Sequence, residues 1–301
     1  KEILELKGEF SVLIVNDGSN EKMPETKSVY KNIKSVKVIN MKKNQGHTRS
    51  YATGIRYLSK KENYDYYILM DGDGEDRPEE IKLLVNKVLK NEDVSVVAKR
   101  VKRSEGLIFS ILYNLHKLIT LVFTGRIMNF GHYSCLTKRD ADIISLKESL
   151  WGNYSGTVKK FISKLDNIPC IRGVRYVQPS KMSFIKLVIH SFSILAVFKY
   201  QVLLRSIVFS IILLLLAPHL ITNFIIICLI VFTICVFILS RRENIDGLKN
   251  SENQIDDIVS VYTKRLSNES VLESKRNQKV NIHSALSLIV DCIKHSHWVI
   301  Y

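Results

Sequence analysis

The sequence has no closely paired cysteines. Its five, Cys135, Cys170, Cys228, Cys235 and Cys292, are dispersed without a C-x-x-C spacing. That excludes a disulfide framework and a cysteine zinc site, and it points to a reducing compartment. Lys1–Phe10 is charged and has no apolar core, so no signal peptide is expected there. The sequence also lacks an internal repeat, a low-complexity tract and a nucleic-acid-binding motif, so nucleic acid is not expected as a partner. An obvious pairing of a histidine with a carboxylate for acid–base chemistry is missing too.

What is present is a basic and apolar chain. It has 301 residues, enough for one domain of ordinary size with appendages, and a formal net charge of +15. The pI is near 9.5 and mean hydropathy is slightly positive, +0.05. Basic residues flank the apolar runs, which suits an anionic membrane surface.

The most informative stretch is Tyr66–Glu80, YYILMDGDGEDRPEE. Tyr66–Met70 is an apolar run long enough for one buried strand. It ends in Asp71-Gly72-Asp73-Gly74-Glu75-Asp76-Arg77, and Pro78 opens a helical pattern over Glu79–Asn91. Several carboxylates thus leave the carboxyl end of a strand together, where open α/β sheets bind ligands. Two carboxylates two residues apart on a glycine turn can share one hard cation, which in turn can hold phosphates. An acidic surface turn is the alternative for a bare Asp-x-Asp, but the flanking strand and the Pro-Glu helix start favour a metal site.

Asp71-x-Asp73-x-Glu75-x-x-Pro78-Glu79 resembles the Asp-x-Asp-x-Gln-x-x-Pro-Glu signature of family 2 glycosyltransferases with the GT-A fold, in particular the membrane-bound polyprenyl-phosphate branch that includes dolichyl-phosphate mannose synthase. The resemblance implies an α/β domain with a mostly parallel sheet. It also implies Mg²⁺ or Mn²⁺ held by Asp71, Asp73 and Glu75 against the diphosphate of a nucleotide sugar, with Glu75 standing where the family has Gln. The family's opening strand, ending in a Pro-x-Tyr/Phe-Asn-Glu turn, has no match near Lys1, so the domain is read as lacking its first strand.

Other segments fall in the family's order. Phe10–Val15 reads as a buried strand running into Asn16-Asp17-Gly18-Ser19, similar to the family's Asp-Asp-Gly-Ser turn, which implies nucleotide contacts for Asp17, Gly18 and Ser19. Val36–Asn40 reads as a strand, followed by Lys42-Lys43-Asn44-Gln45-Gly46-His47 and a helix over Thr48–Ser59. A basic, glycine-containing helix start is anion-friendly, and the resemblance implies nucleotide contacts for Asn44 and Gly46. The strand Val94–Ala98 leads into Lys99–Arg103, where Arg100 and Arg103 match a basic family segment that meets phosphate. An apolar helix, Leu107–Phe123, follows. Gly131–Arg139 matches a further segment only in part: Ser134 stands where related enzymes carry Arg, leaving Lys138 or Arg139 to supply positive charge. Arg175-x-x-Gln178-x-Ser180-Lys181 resembles the motif that closes the catalytic domain in this branch, which implies phosphate contacts for Arg175 and Lys181.

The domain is accordingly assigned to residues 1–181. Residues 182–200 read as an interfacial helix, with Lys186, His190 and Ser193 as its polar stripe. Residues 201–240 read as a transmembrane hairpin, its apolar runs Val202–Leu216 and Ile221–Leu239 separated by Ala217-Pro218-His219-Leu220. Lys181, Lys186, Lys199, Arg241 and Arg242 all lie on one side of it, which by the positive-inside rule makes the domain and the tail cytoplasmic. Residues 241–301 read as a polar tail with helical patches at Ile255–Leu266 and Ala285–Ile293.

The expected activity is metal-dependent, inverting transfer of a sugar from a nucleotide sugar to a polyprenyl phosphate, with Asp73, Arg100, Arg175 and Lys181 as the catalytic group. Two alternatives stand. One is direct transfer to a glycan or glycolipid hydroxyl, with Asp140 or Asp142 as base; the other is a truncated, non-catalytic membrane partner subunit. Homo-oligomerisation is left open.

Overall fold

The computed structural model describes residues 8–19, 32–102, 107–176, 184–216, 219–263 and 285–292, the last in backbone. Its centre is one eight-stranded sheet. The strands are β1 (Glu9–Asn16), β2 (Ile33–Met41), β3 (Tyr66–Asp71), β4 (Ser95–Lys102), β5 (Phe130–Thr137), β6 (Leu165–Ile171), β7 (Ile255–Thr263) and β8 (Ala285–Cys292). Their spatial order is β6-β4-β5-β3-β8-β1-β2-β7. Strands β1, β2, β3 and β8 run parallel, β4 and β6 run parallel to each other, β5 opposes β3 and β4, and β7 opposes β2.

Strand β3 shows why the sheet is a middle layer. All six of its residues are buried, and successive side chains of a strand point to opposite faces. Tyr67 and Leu69 join one apolar cluster with Tyr51, Ile55 and Leu58 of helix α1 (His47–Lys61). Tyr66, Ile68 and Met70 join the other with Ile81, Leu84, Val85 and Val88 of α2 (Ile81–Lys90). The α2 set has the 3-4 spacing of one helix face. Helices on both faces of a mostly parallel sheet make the α/β layering expected from the sequence.

The remaining helices are α3 (Leu107–Thr124), α4 (Lys138–Ser145), α5 (Tyr154–Phe161), α6 (Phe184–Val197), α7 (Lys199–Leu216), α8 (Leu220–Ser240) and the short α9 (Ile245–Lys249). Helices α7 and α8 are long and apolar enough to cross a membrane. Thr233 of α8 donates to Ser206 of α7 at 3.0 Å, and Lys199 at the start of α7 meets Glu243 just beyond α8 at 3.0 Å. Arg205 of α7 donates to the carbonyl of Val122 in the last turn of α3, a favourable place for a cation.

The tail corrects the sequence reading. Both of its expected helical patches are strands: β7 pairs with the edge strand β2, and β8 lies between β1 and β3. Ile255, Ile258, Val259, Val261 and Tyr262 show a helix-like spacing, but β-branched and aromatic residues favour a strand where an open edge offers partners. The described strands β7 and β8 thus share one sheet with the strands of the 1–181 span. Strand β8 lies in the sheet between β3 and β1.

Candidate active site

Because β1, β2, β3, β8, β4 and β6 share one direction, their carboxyl ends gather at one edge of the sheet. That edge collects Asp17, Gly18 and Ser19 after β1, Asn44 and Gly46 after β2, Asp71, Asp73 and Glu75 after β3, Arg100 near the end of β4, and Arg175 after β6. The antiparallel β5 contributes its beginning, with Gly131 and His132. These sequence-selected residues are thus brought to one region by topology. Arg103 and Lys181 lie outside the described residues.

The two nucleotide-side turns lock together. The Asp17 carboxylate accepts the backbone N–H groups of Gln45 and Gly46 at 2.7 and 2.8 Å, and Asn44 Nδ2 donates to the Asp17 carbonyl at 2.9 Å. Gly18 has φ +71°, and a Cβ there would lie 2.8 Å from the Asn44 nitrogen. Both the left-handed backbone and the close approach require glycine. Asp17 and Gly18 therefore fix the shape of this corner.

One oxygen of Asp71 takes two side-chain partners. This Oδ1 meets His47 Nε2 at 2.8 Å and accepts from Tyr51 Oη at 2.9 Å. Burial works to raise this carboxyl, but the His47 contact, with His132 and Arg100 nearby, outweighs it and holds Asp71 well below the usual carboxylate range. The Asp71 amide donates to Asp76 Oδ2 at 2.9 Å. Burial, then the Asp71 charge, pushes Asp76 up to about 8.

Asp73 and Glu75 face a strap, Arg172–Tyr176, that leaves β6 and crosses the acidic turn. Gly173 N–H donates to the Glu75 carbonyl at 2.8 Å and Tyr176 N–H to the Asp73 carbonyl at 2.9 Å. Arg175 Nε lies 3.2 Å from Asp73 Oδ2 and 2.7 Å from Glu75 Oε1, and Arg172 pairs with the other oxygen of Glu75. Burial tends to raise Glu75, but the hydrogen bonds from Arg172 and Arg175 prevail and lower it. Asp73 is raised, by burial and by the Asp71 charge. Both Asp73 and Asp76 are raised first by burial, and the carboxylates of Asp71, Asp73 and Glu75 on one turn are oxygen donors of the kind a divalent cation takes. The donor set therefore fits a cation, although Asp73 and Glu75 point to arginines in this arrangement.

Four acidic or basic residues chosen from the sequence do not come to this edge. Thr137 pairs with Tyr66, so α4 starts at the opposite end of β3, five residues and about 16 Å from Asp71. There Lys138 pairs with Asp142, and Arg139 with Asp140. Asp140 also accepts from Ser95 Oγ. The antiparallel β5 thus places Lys138 and Arg139, read as phosphate contacts, and Asp140 and Asp142, read as bases, at the end of the sheet away from Asp71. Ser134 is buried under the site, hydrogen-bonded to Tyr154.

His47, Tyr51, Asp76, His132 and Arg172 were not singled out by their sequence positions. His132 packs against both Tyr51 and Tyr154, with ring centroids 4.7 and 5.3 Å away, and the two tyrosine rings lie 6.3 Å from each other. Burial, then the neighbouring His47, keeps its imidazole pKa well below the usual value. No spacing rule links positions 47, 71 and 132; only the location of His132 opposite the end of β3 connects them.

The Glycosyl transferase family 2 profile matches residues 1–176. The chain belongs to glycosyl transferase family 2. No curated protein matches it significantly. This membership makes the protein a glycosyltransferase, of a family that generally inverts, using a nucleotide-sugar donor and an acceptor, commonly with a divalent metal. The matched span takes in β1 to β6 and the strap; α6 to α8 and the strands β7 and β8 lie beyond it.

Proposed function

We propose that this glycosyltransferase moves a sugar from a nucleotide sugar to a polyprenyl phosphate at the cytoplasmic face of a membrane, with inversion in one displacement. The observation that carries the reading is the clustering of Arg100, Arg172 and Arg175 around the acidic turn, beside a helix leading to the two long apolar helices. Helix α6 brings His190 within electrostatic reach of Asp71, and α7 follows it directly. Leu215 is 79 % exposed and Leu220 85 %, a surface suited to lipid rather than water. The chain then returns from α8 to pair β7 with β2, which accords with an even number of crossings.

In this reading Asp17, Gly18 and Ser19, with Asn44 and Gly46, border the nucleoside end of the donor. Asp71, Asp73 and Glu75 hold Mg²⁺ or Mn²⁺, which when bound neutralises charge on the leaving diphosphate. Holding a cation frees Arg172 and Arg175 from Glu75 and Asp73 to meet donor and acceptor phosphates, together with Arg100, Arg103 and Lys181. A phosphate acceptor is anionic at neutral pH and needs no strong base. A hydroxyl acceptor does need one, and Asp140 and Asp142 lie at the wrong end of the sheet to serve it. The partner-subunit alternative rested on the absent first strand; the intact acidic turn and the family membership speak for an enzyme.

The test is metal-dependent transfer from a panel of radiolabelled nucleotide sugars by the full chain in membranes, with Asp73→Ala as control. Label in the polyprenyl-phosphate fraction, lost in the variant, supports the proposal. Label only in larger glycan overturns the acceptor assignment.

A further inference from the structure

The acidic turn is not the only place where Asp71 can share a cation. His47, Asp71 and His132 each offer a ligand atom, and the three atoms lie within 4.8 Å of one another. Metal–ligand bonds of about 2.1 Å in a tetrahedral site put neighbouring ligand atoms ~3.4 Å apart, so a small closure of the side chains suffices. A second observation points to a missing ligand: His132 is 6 % exposed and its Nε2 is buried with no hydrogen-bond partner. An unsatisfied buried nitrogen is costly to keep. The His132 ring stands 4.3 Å from that of His47, centroid to centroid.

The three groups are built into the fold. Tyr51 stacks on His132 with an interplanar angle of 11° and donates its hydroxyl to Asp71 Oδ1 at 2.9 Å, so one side chain orients two of the three ligands. Tyr154 also packs against His132, at 5.3 Å between ring centroids. Partners that fix ring and carboxylate orientation in this way are typical of metal sites. His47 opens α1 and is partly exposed, which leaves a route for a cation to enter.

We infer that His47, Asp71 and His132 form a nitrogen-containing site for a first-row transition-metal cation of the Mn²⁺-to-Zn²⁺ class, a site that shares Asp71 with the all-oxygen donors of the acidic turn. Two imidazoles with one carboxylate suit those metals, whereas Mg²⁺ takes oxygen ligands almost exclusively. The inference deepens the donor-site reading and rests on it for the cation's role in transfer, but not for its binding.

The experiment uses the full chain purified in detergent and stripped of metal, titrated with Co²⁺ and followed by visible absorption, without any sugar donor. Expected is one Co²⁺ bound per chain, with d–d bands of nitrogen–oxygen ligation that excess Mg²⁺ does not displace. His132→Phe keeps the ring stack, and His47→Asn sits at the exposed side; each weakens binding by on the order of 100-fold, while Asp166→Asn, paired with Lys87 at the start of β6, binds like the parent. Circular dichroism establishes that each variant is folded. Binding that survives both histidine substitutions overturns the site, as does displacement by Mg²⁺ or failure of the parent to bind Co²⁺. Since no donor or acceptor is present, these outcomes are independent of which sugar or lipid the enzyme uses.

Discussion

Arg175 bridges Asp73 and Glu75, with its Nε 3.2 Å from one carboxylate and 2.7 Å from the other. The pair of contacts spans about a hundred residues of sequence and ties the end of β6 to the end of β3. One guanidinium thus holds the acidic turn together in the arrangement described.

Replacing it removes both the tie and a positive charge facing the donor site. Arg175→Ala is expected to lower the transfer rate by on the order of 100-fold, the usual loss when one charge-stabilising donor is removed. Arg175→Lys keeps the charge but loses the planar fork, so it should recover only part of the activity. Initial rates with saturating donor check both.

The strap is packed closely enough for a single methyl group to disturb it. A Cβ on Gly173 would lie 2.3 Å from the Gly74 carbonyl oxygen, and neither backbone can yield cheaply. Gly173→Ala is expected to cost about 1–3 kcal/mol by overpacking and to raise hydrogen exchange at the Gly173 and Tyr176 amides. Denaturant unfolding and exchange mass spectrometry measure the two effects.

The strap should also loosen in acid. The folded-state pKa of Glu75 is depressed, so its contribution to stability is complete above the ordinary glutamate value near 4.5 and is lost as pH falls through the lower folded value. Thermal unfolding of the parent should therefore lose more stability on going from pH 6 to pH 3 than that of Glu75→Gln, which has no such proton to take up. Equal acid slopes would remove Glu75 from the account.

Strand β8 makes a sharper stability test. Leu288 lies in register with Val12 of β1 and Ile68 of β3, in the middle of the sheet. Proline there removes a ladder hydrogen bond from a central strand, at a cost of at least ~3 kcal/mol. Leu288→Pro is expected to lower the unfolding midpoint and to expose β1 and β3 amides to exchange, while Val231→Leu in the apolar hairpin should do neither. Unchanged protection of β1 and β3 would mean that β8 does not hold them.

Much of this architecture was legible locally. The apolar run before Asp71, the glycine turns at Asp17 and Gly46, and the long apolar helices each follow from the chemistry of neighbouring residues. Strand β1 was expected over Phe10–Val15 and spans Glu9–Asn16, and α1 was expected over Thr48–Ser59 and spans His47–Lys61. The tail was misread because its pattern fits helix and strand alike, and the open edge of β2 that decides between them lies more than two hundred residues away.

Sequence alone determined the chemistry available at the end of β3: carboxylates on a glycine turn, with basic segments at the ends of later strands. Local order suffices there, since a strand followed by a glycine turn projects those groups wherever it is placed. Tertiary structure decided which of them meet. The antiparallel direction of β5 sent Lys138, Arg139, Asp140 and Asp142 to the far end while bringing His132 to Asp71. The insertion of β8 beside β3 made a distant segment part of the catalytic sheet. Both outcomes depend on strand pairing between remote segments, which is settled by the packing of the whole sheet.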